Sequence, residues 1–173
     1  MIDATQDPGR LRPMDHADLE RVLAWRNHPE VRHYMYTRHE ITPEEHLRWF
    51  ERTRLDPAKH LLIFEANLQP LGFVNFSITG AGGIADWGFY TAPDAPKGSG
   101  RRLGHAALSH AFSQLKLHKI CGQALAYNTR SVQFHQSLGF QQEGILRDQH
   151  FDGENYHHVI CLGLLCHDWQ QNL

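Results

Sequence analysis

The sequence has few cysteines, no long apolar run and no excess of charge of either sign, and each shortage closes off a class of protein. The three cysteines, Cys121, Cys161 and Cys166, contain no Cys-x-x-Cys pair and are odd in number. A closed disulfide framework or a cysteine-ligated zinc scaffold is therefore excluded, and reduced thiols are expected. No apolar stretch approaches the about 20 residues that cross a bilayer. The first ten residues lack a basic segment followed by an apolar run, so no secretory signal is read and a cytoplasmic location is expected. Seventeen Lys and Arg against 19 Asp and Glu leave a formal charge of −2, which gives no global attraction to nucleic acid or anionic membrane. Any anion site must be local. Histidine is abundant, at 14 residues, but no His-Glu-x-x-His occurs. His157 and His158 are adjacent on an expected strand and point to opposite faces, so no metal site is expected.

What is present suits a globular domain. Hydrophobic residues make up 41% of 173, enough for one core, and no repeat or linker divides the chain, so residues 1–173 read as a single domain. Leu11–Met14 reads as a short strand, Asp15 as the cap of a helix through Trp25, and Pro29 as the opening of a short second helix. Thr42-Pro43-Glu44-Glu45 is a capping box with proline at the first helical position, for a helix to about Leu55 with Leu47, Phe50 and Trp49 facing inward. Strands are expected at His60–Ala66, Leu71–Ile78 and Ile84–Thr91, joined by turns at Asn67–Pro70 and Thr79–Gly83. An amphipathic helix at about Arg101–Leu115 and a strand at Lys119–Tyr127 follow. Asn128 then caps a helix that Gly139 stops, and a hairpin of Gln142–Phe151 and Tyr156–Leu165 ends the pattern. The class is mixed α/β, with a mostly antiparallel sheet flanked by helices.

One local feature conflicts with ordinary helix electrostatics. Lys97, Arg101 and Arg102 crowd the start of the long helix, where the partial positive charge of the N-terminus disfavours cations by a few tenths of a kcal/mol each. An anion at that end removes the conflict. Gly98 and Gly100 let the backbone approach it, with amide hydrogens turned outward, and a pyrophosphate is the natural guest. The dinucleotide fingerprint does not fit: Gly104 falls one place late, and no acid lies between Leu115 and Ala126. No Walker loop is present.

Lys97-Gly98-Ser99-Gly100, Leu117-His118-Lys119-Ile120 and Asn128–Phe140, ending in Leu138-Gly139-Phe140, resemble the coenzyme A half of the GNAT acetyltransferases. Leu11-Arg12-Pro13 and Trp25–Arg32 resemble the branch of that superfamily containing ribosomal-protein N-acetyltransferases. The resemblance implies a GNAT acyl-CoA N-acyltransferase fold, acetyl-CoA as cosubstrate without a metal, and direct acetyl transfer to an amine in a ternary complex. It implies cofactor contacts at Phe89, Tyr90, Thr91, Lys97, Gly98, Ser99, Gly100, Arg101, Arg102, Asn128, Ser131 and Phe134. It also implies a bulged central strand at Asp86–Thr91, which Gly88 would suit. Two loop positions depart from the family pattern: Lys97 replaces Gln or Arg, and Arg102 stands where Gly or Ala is usual, so its side chain must turn away from the pyrophosphate or clamp it.

His135 holds the place of the family's proton-donating tyrosine and is a candidate general acid, since histidine titrates near neutral pH. Asp86, Asn75 and Ser77 are candidates for the base or for holding a water. The stretch Met35–Phe50 resembles the N-acetyltransferases of pseudaminic acid biosynthesis, which acetylate the 4-amino group of UDP-4-amino-4,6-dideoxy-N-acetyl-β-L-altrosamine for flagellin glycosylation. That resemblance implies an acceptor site with Arg26, Met35, Tyr36, His46, Trp49 and Tyr90, and a small-molecule nucleotide-sugar substrate acted on by a monomer or homodimer. A ribosomal-protein or polyamine acetyltransferase is the rival within the superfamily, and a non-catalytic coenzyme A-binding module the rival outside it.

Overall fold

In the computed structural model, residues 7–171 are described. The chain opens with β1 (Arg10–Pro13). Asp15 accepts from the Ala17 amide and Asp18 reaches back to the Asp15 amide, a capping box that closes a 3₁₀ turn before α1 (Leu19–Asn27). Pro29 opens the one-turn α2 (Pro29–Arg32), and the Thr42–Glu45 box opens α3 (Pro43–Thr53) as expected, with both reciprocal hydrogen bonds formed. The inward face of α3 differs from the expected one. His46 and Phe50, four residues apart, are buried, whereas Leu47 is 44% exposed. The helical stripe follows the i, i+4 row rather than the most apolar residues.

Three strands then form a meander: β2 (Lys59–Ala66), β3 (Gln69–Ile78) and β4 (Ile84–Thr91). The β2–β3 connection is only Asn67-Leu68, both with positive φ, as a tight two-residue hairpin requires. Beyond β4 come α4 (Ser99–Ser113), β5 (Lys119–Leu125), α5 (Thr129–Ser137), β6 (Gln141–Phe151) and β7 (Tyr156–Leu165). A final helix, α6 (Cys166–Gln171), was not legible in the sequence because six residues hold too little periodicity. It seats a buried Trp169 against His105 and Phe112 of α4.

The seven strands form one sheet in the order β1-β2-β3-β4-β5-β7-β6. Every pair is antiparallel except β4 with β5. Helices cover both faces. Leu103, Ala107 and Leu108 of α4 pack with Val74, Phe76 and Trp87 on one face. Val22 and Trp25 of α1 and Phe50 of α3 pack with Ile63 and Phe73 on the other. Gly104 lets α4 approach α5, because a Cβ there would lie 2.9 Å from Leu138 Cδ1. Among the described residues, no helix is long and apolar enough to cross a membrane.

Candidate active site

The one parallel junction in the sheet is also its weakest seam. Strands β4 and β5 pair only over Ile84–Asp86 and Lys119–Cys121, and then diverge. Past Asp86, β4 keeps its partner β3 up to Thr91, but the alternate backbone N–H and C=O groups that point away from β3 have no strand partner. Unpaired strand groups need hydrogen-bond partners, so this splayed edge is a ready docking rail for an extended, amide-bearing ligand. The resulting cleft, of ≈ 950 Å³, is walled by residues 86–91 of β4 and Ala92 beyond it, by Cys121, Gln123, Ala124 and Leu125 of β5, and by Asn128, Ser131, Phe134 and His135 around α5. Tyr34, Met35 and Tyr36 lie across its mouth.

Gly100 brings the α4 N-terminus to the cleft. Gly98 adopts φ +90°, which the turn into α4 requires. In the first turn the Ser99 amide donates to the Pro96 carbonyl and the Arg102 amide to the Gly98 carbonyl. The Gly100 and Arg101 amides are left with no partner among the described residues, facing out of the positive end of a 15-residue helix. Lys97, Gly98 and Arg101 sit beside them in sequence. Ser99 is buried, with its amide already bonded to Pro96 and its hydroxyl near Arg102. Arg102 does not clamp a phosphate: it turns away, donating to the Asp7 carbonyl (2.9 Å) and to the Ser99 hydroxyl (3.4 Å). Asn128 caps α5 through the Ser131 amide (3.1 Å), so its carboxamide is held at the cleft wall.

Several expected roles change. His135 is buried, at 2% exposure. Its Nε2 accepts from the Trp87 indole N–H (3.1 Å), and its Nδ1–H donates to the Ser131 carbonyl (2.7 Å). Burial pushes its pKa down, and the Ser131 hydrogen bond only partly opposes this. With Nε2 accepting from Trp87 and Nδ1–H bonded to Ser131, neither ring nitrogen offers a proton to the cleft, so the geometry does not support the general-acid expectation. Of the candidate bases, Asp86 lies at the cleft. Ser77 does not, and its hydroxyl accepts from Lys59 Nζ (2.9 Å). Asn75 lies beneath Gly88, and a Cβ at Gly88 would meet its Oδ1 at 2.8 Å. That contact, and not a bulge, explains the glycine: the β3–β4 register runs unbroken from Gly72↔Thr91 to Ile78↔Ala85.

Met35 and Tyr36 reach the cleft as expected, and Tyr36 donates to Gln123 Oε1 (2.9 Å) across it. Tyr90 lines the cleft, and burial pushes its phenol pKa up. His46 and Trp49 are not brought to the cleft. They stack on each other, with centroids 5.1 Å apart, and Trp49 packs edge-on against Phe73 in the core layer. Arg26 does not line the cleft either. It donates through Nη2 to the Thr37 carbonyl (3.1 Å), while its buried Nη1 has no partner among the described residues. Burial lowers its pKa, Tyr90 opposes that shift, and Arg32 adds to it.

Gln123, Cys121 and Arg130 also line the cleft and were not foreseen. The available signal was Gln123, the one polar residue within the apolar stretch of β5 after Lys119. Among the described residues no group of three or more His, Cys, Asp and Glu could hold a metal.

Comparison with known proteins places the chain in a family. The acetyltransferase PseH of Campylobacter jejuni is 29% identical over 146 residues, covering 84% of this chain and 85% of that protein. The spermidine N(1)-acetyltransferase of Vibrio cholerae is 26% identical over 152 residues, covering 86% and 88%. A crystal structure of a Vibrio cholerae spermidine N-acetyltransferase in complex with CoA and spermine superposes with a TM-score of 0.88 at 23% identity, covering 94% of this chain and 98% of that one. The sequence matches the acetyltransferase (GNAT) domain family over residues 10–141. The chain therefore belongs to the GNAT acetyltransferase family, and its chemistry is the transfer of an acetyl group from acetyl-coenzyme A to an amine.

Proposed function

We propose that the acceptor is an amino sugar carried on a nucleoside diphosphate, acetylated on its 4-amino group, of the kind used in pseudaminic acid biosynthesis. The observation that carries this reading is the lining of the cleft mouth. Tyr34, Met35, Tyr36 and Tyr90 offer flat, polarisable surface for a base and a sugar. Glu30 and Asp86 are the only carboxylates among the lining residues, too few for a polyamine carrying several positive charges.

In this reading the Gly100 and Arg101 amides, with Lys97 and Arg101, hold the pyrophosphate of coenzyme A, and the free edge of β4 holds its amide-bearing arm. Bound acetyl-CoA supplies the activated acetyl group. As the amine nitrogen bonds the acetyl carbon, Asp86 takes the proton the amine loses, directly or through a water; the C–S bond breaks, and the coenzyme A sulfur leaves and takes up a proton from Asp86 or water. Tyr36 positions the acceptor opposite β4, tethered by Gln123.

Initial rates at fixed, subsaturating UDP-4-amino sugar should fall as UDP is added. Tyr36→Ala should raise the acceptor KM about ten-fold while moving the acetyl-CoA KM far less. A rate indifferent to millimolar UDP, with efficient acetylation of a peptide N-terminus or of spermidine, would replace this reading with one of those acceptors.

A further inference from the structure

The vertex of the splayed cleft is occupied by a feature no acid–base role explains. Trp87 is the first β4 residue beyond the last parallel pair, Asp86↔Cys121, and Gly122 is its counterpart on β5. The Trp87 indole and the His135 imidazole meet over Gly122. A Cβ on that glycine would lie 2.6 Å from His135 Nε2 and 3.0 Å from Trp87 Nε1. Gly122 has no left-handed φ, so the glycine is required for space and not for backbone conformation. The pair is fixed on its other sides. The Trp87 ring stacks on Phe140 at 5.3 Å, the His135 ring stands edge-on to Phe140 at 4.9 Å, and His135 Nδ1 is bonded to Ser131 of its own helix.

We propose that the Trp87–His135 hydrogen bond over Gly122 is the pin that sets the opening between β4 and β5. In this arrangement His135 is a positioning residue for acetyl-CoA, acting through Trp87, and not a proton donor. The bond joins the two walls of the cofactor site: Trp87 belongs to the free edge of β4, and His135 belongs to α5, whose Ser131 and Phe134 line the opposite side. Helix α5 has few other ways to register itself against β4. Phe89 with Phe134 (5.2 Å) is an apolar contact without direction, whereas the indole–imidazole bond fixes distance and angle together. The assignment is independent of the amine that accepts the acetyl group.

The two roles separate in kinetics. A positioning role predicts that His135→Phe weakens acetyl-CoA binding about ten-fold, with kcat at saturating acetyl-CoA largely retained. His135→Gln, whose amide oxygen can still accept from the indole, should recover most of the affinity, and His135→Tyr should not. Gly122→Ala, which changes no ionisable group, should reproduce the His135→Phe signature by displacing the pair. In the ¹H–¹⁵N spectrum, the Trp87 indole signal, identified by its loss in Trp87→Phe, should move in His135→Phe and Gly122→Ala and return towards its wild-type place in His135→Gln. A fall in kcat at unchanged acetyl-CoA dissociation constant, restored by Tyr and not by Gln, would overturn the proposal in favour of an acid. A native acetyl-CoA affinity in folded Gly122→Ala would also overturn it. Should His135→Phe not fold, Gly122→Ala and His135→Gln carry the test.

Discussion

Gly100→Asp is expected to lower the affinity for coenzyme A roughly a hundredfold, about 2.7 kcal/mol, while leaving the protein as stable as before. The two effects separate because the helix end treats the new carboxylate and a pyrophosphate as the same kind of guest. In the free protein a carboxylate in the first turn of α4 faces the positive end of the helix, where acids are favourable by a few tenths of a kcal/mol. The added Cβ meets only Thr91 Cγ2, at 3.8 Å, which is ordinary contact. In the complex the same group lies where phosphate must approach the Gly100 and Arg101 amides. Two like charges about 4 Å apart repel by roughly 1 kcal/mol in bulk water and 4 kcal/mol near a protein surface, and the excluded volume adds to that. Titration calorimetry with coenzyme A, beside a thermal melt, reads both quantities. Unchanged affinity in a folded variant would remove the α4 N-terminus from the cofactor site.

The second large effect lies away from the cleft. One guanidinium, Arg12 on β1, holds two buried carboxylates. Its two terminal nitrogens grip Asp18 at 2.7 and 2.8 Å, and its Nε donates to Glu65 at 2.9 Å. Asp18 is 1% and Glu65 6% exposed. Burial alone would raise the Asp18 pKa, yet the Arg12 hydrogen bonds hold it below the usual carboxylate range, and Arg12 and Arg10 do the same for Glu65. Removing the shared partner leaves Asp18 with the Asp15 amide and Arg21 at 3.3 Å, and Glu65 with Arg10, and breaking a buried pair costs about 3–5 kcal/mol. Because Arg12 is itself 29% exposed, the lower figure applies. Arg12→Ala should lose about 3 kcal/mol, a fall in Tm of roughly 6–12 °C for a chain of this size. Arg10→Ala is the control: its side chain is 69% exposed, so its pair with Glu65 should contribute at most about 1 kcal/mol. Equal melting shifts in the two variants would show that the bidentate geometry confers nothing.

These residues also show what the sequence could and could not convey. Local chemistry was legible. The Thr42–Glu45 box, the Asn128 cap, Gly139 as a helix stop and the glycines before α4 each act over a few residues, and each stands where the local rules put it. Pairing across the sheet was not legible. Nothing between residues 84 and 125 states that β4 and β5 part after Asp86, because the divergence follows from Trp87, Gly122 and His135 meeting in space. His135 is the clearest case. Its position matches a family proton donor, but its environment, set by an indole 48 residues away, leaves both ring nitrogens hydrogen-bonded. Helical spacing also misassigned Leu47, whose apolar character suggested an inward face that His46 and Phe50 occupy instead. Arg26 was expected in the acceptor site, but it is not among the residues that line the cleft, and its unpartnered nitrogen became visible only with the surrounding layer in place.

The account rests on the chemistry of the acceptor, and one experiment addresses it directly. Thiol release from acetyl-CoA should be followed with three acceptors under one set of conditions: UDP-4-amino-4,6-dideoxy-N-acetyl-β-L-altrosamine, spermidine, and a peptide with a free N-terminus. On the proposed reading, in which the tyrosine-lined, carboxylate-poor mouth selects a nucleotide sugar, kcat/KM for that sugar should exceed the other two by about a hundredfold or more, and Tyr36→Ala should narrow the gap. A kcat/KM for spermidine or the peptide equal to or above that for the nucleotide sugar would contradict the account.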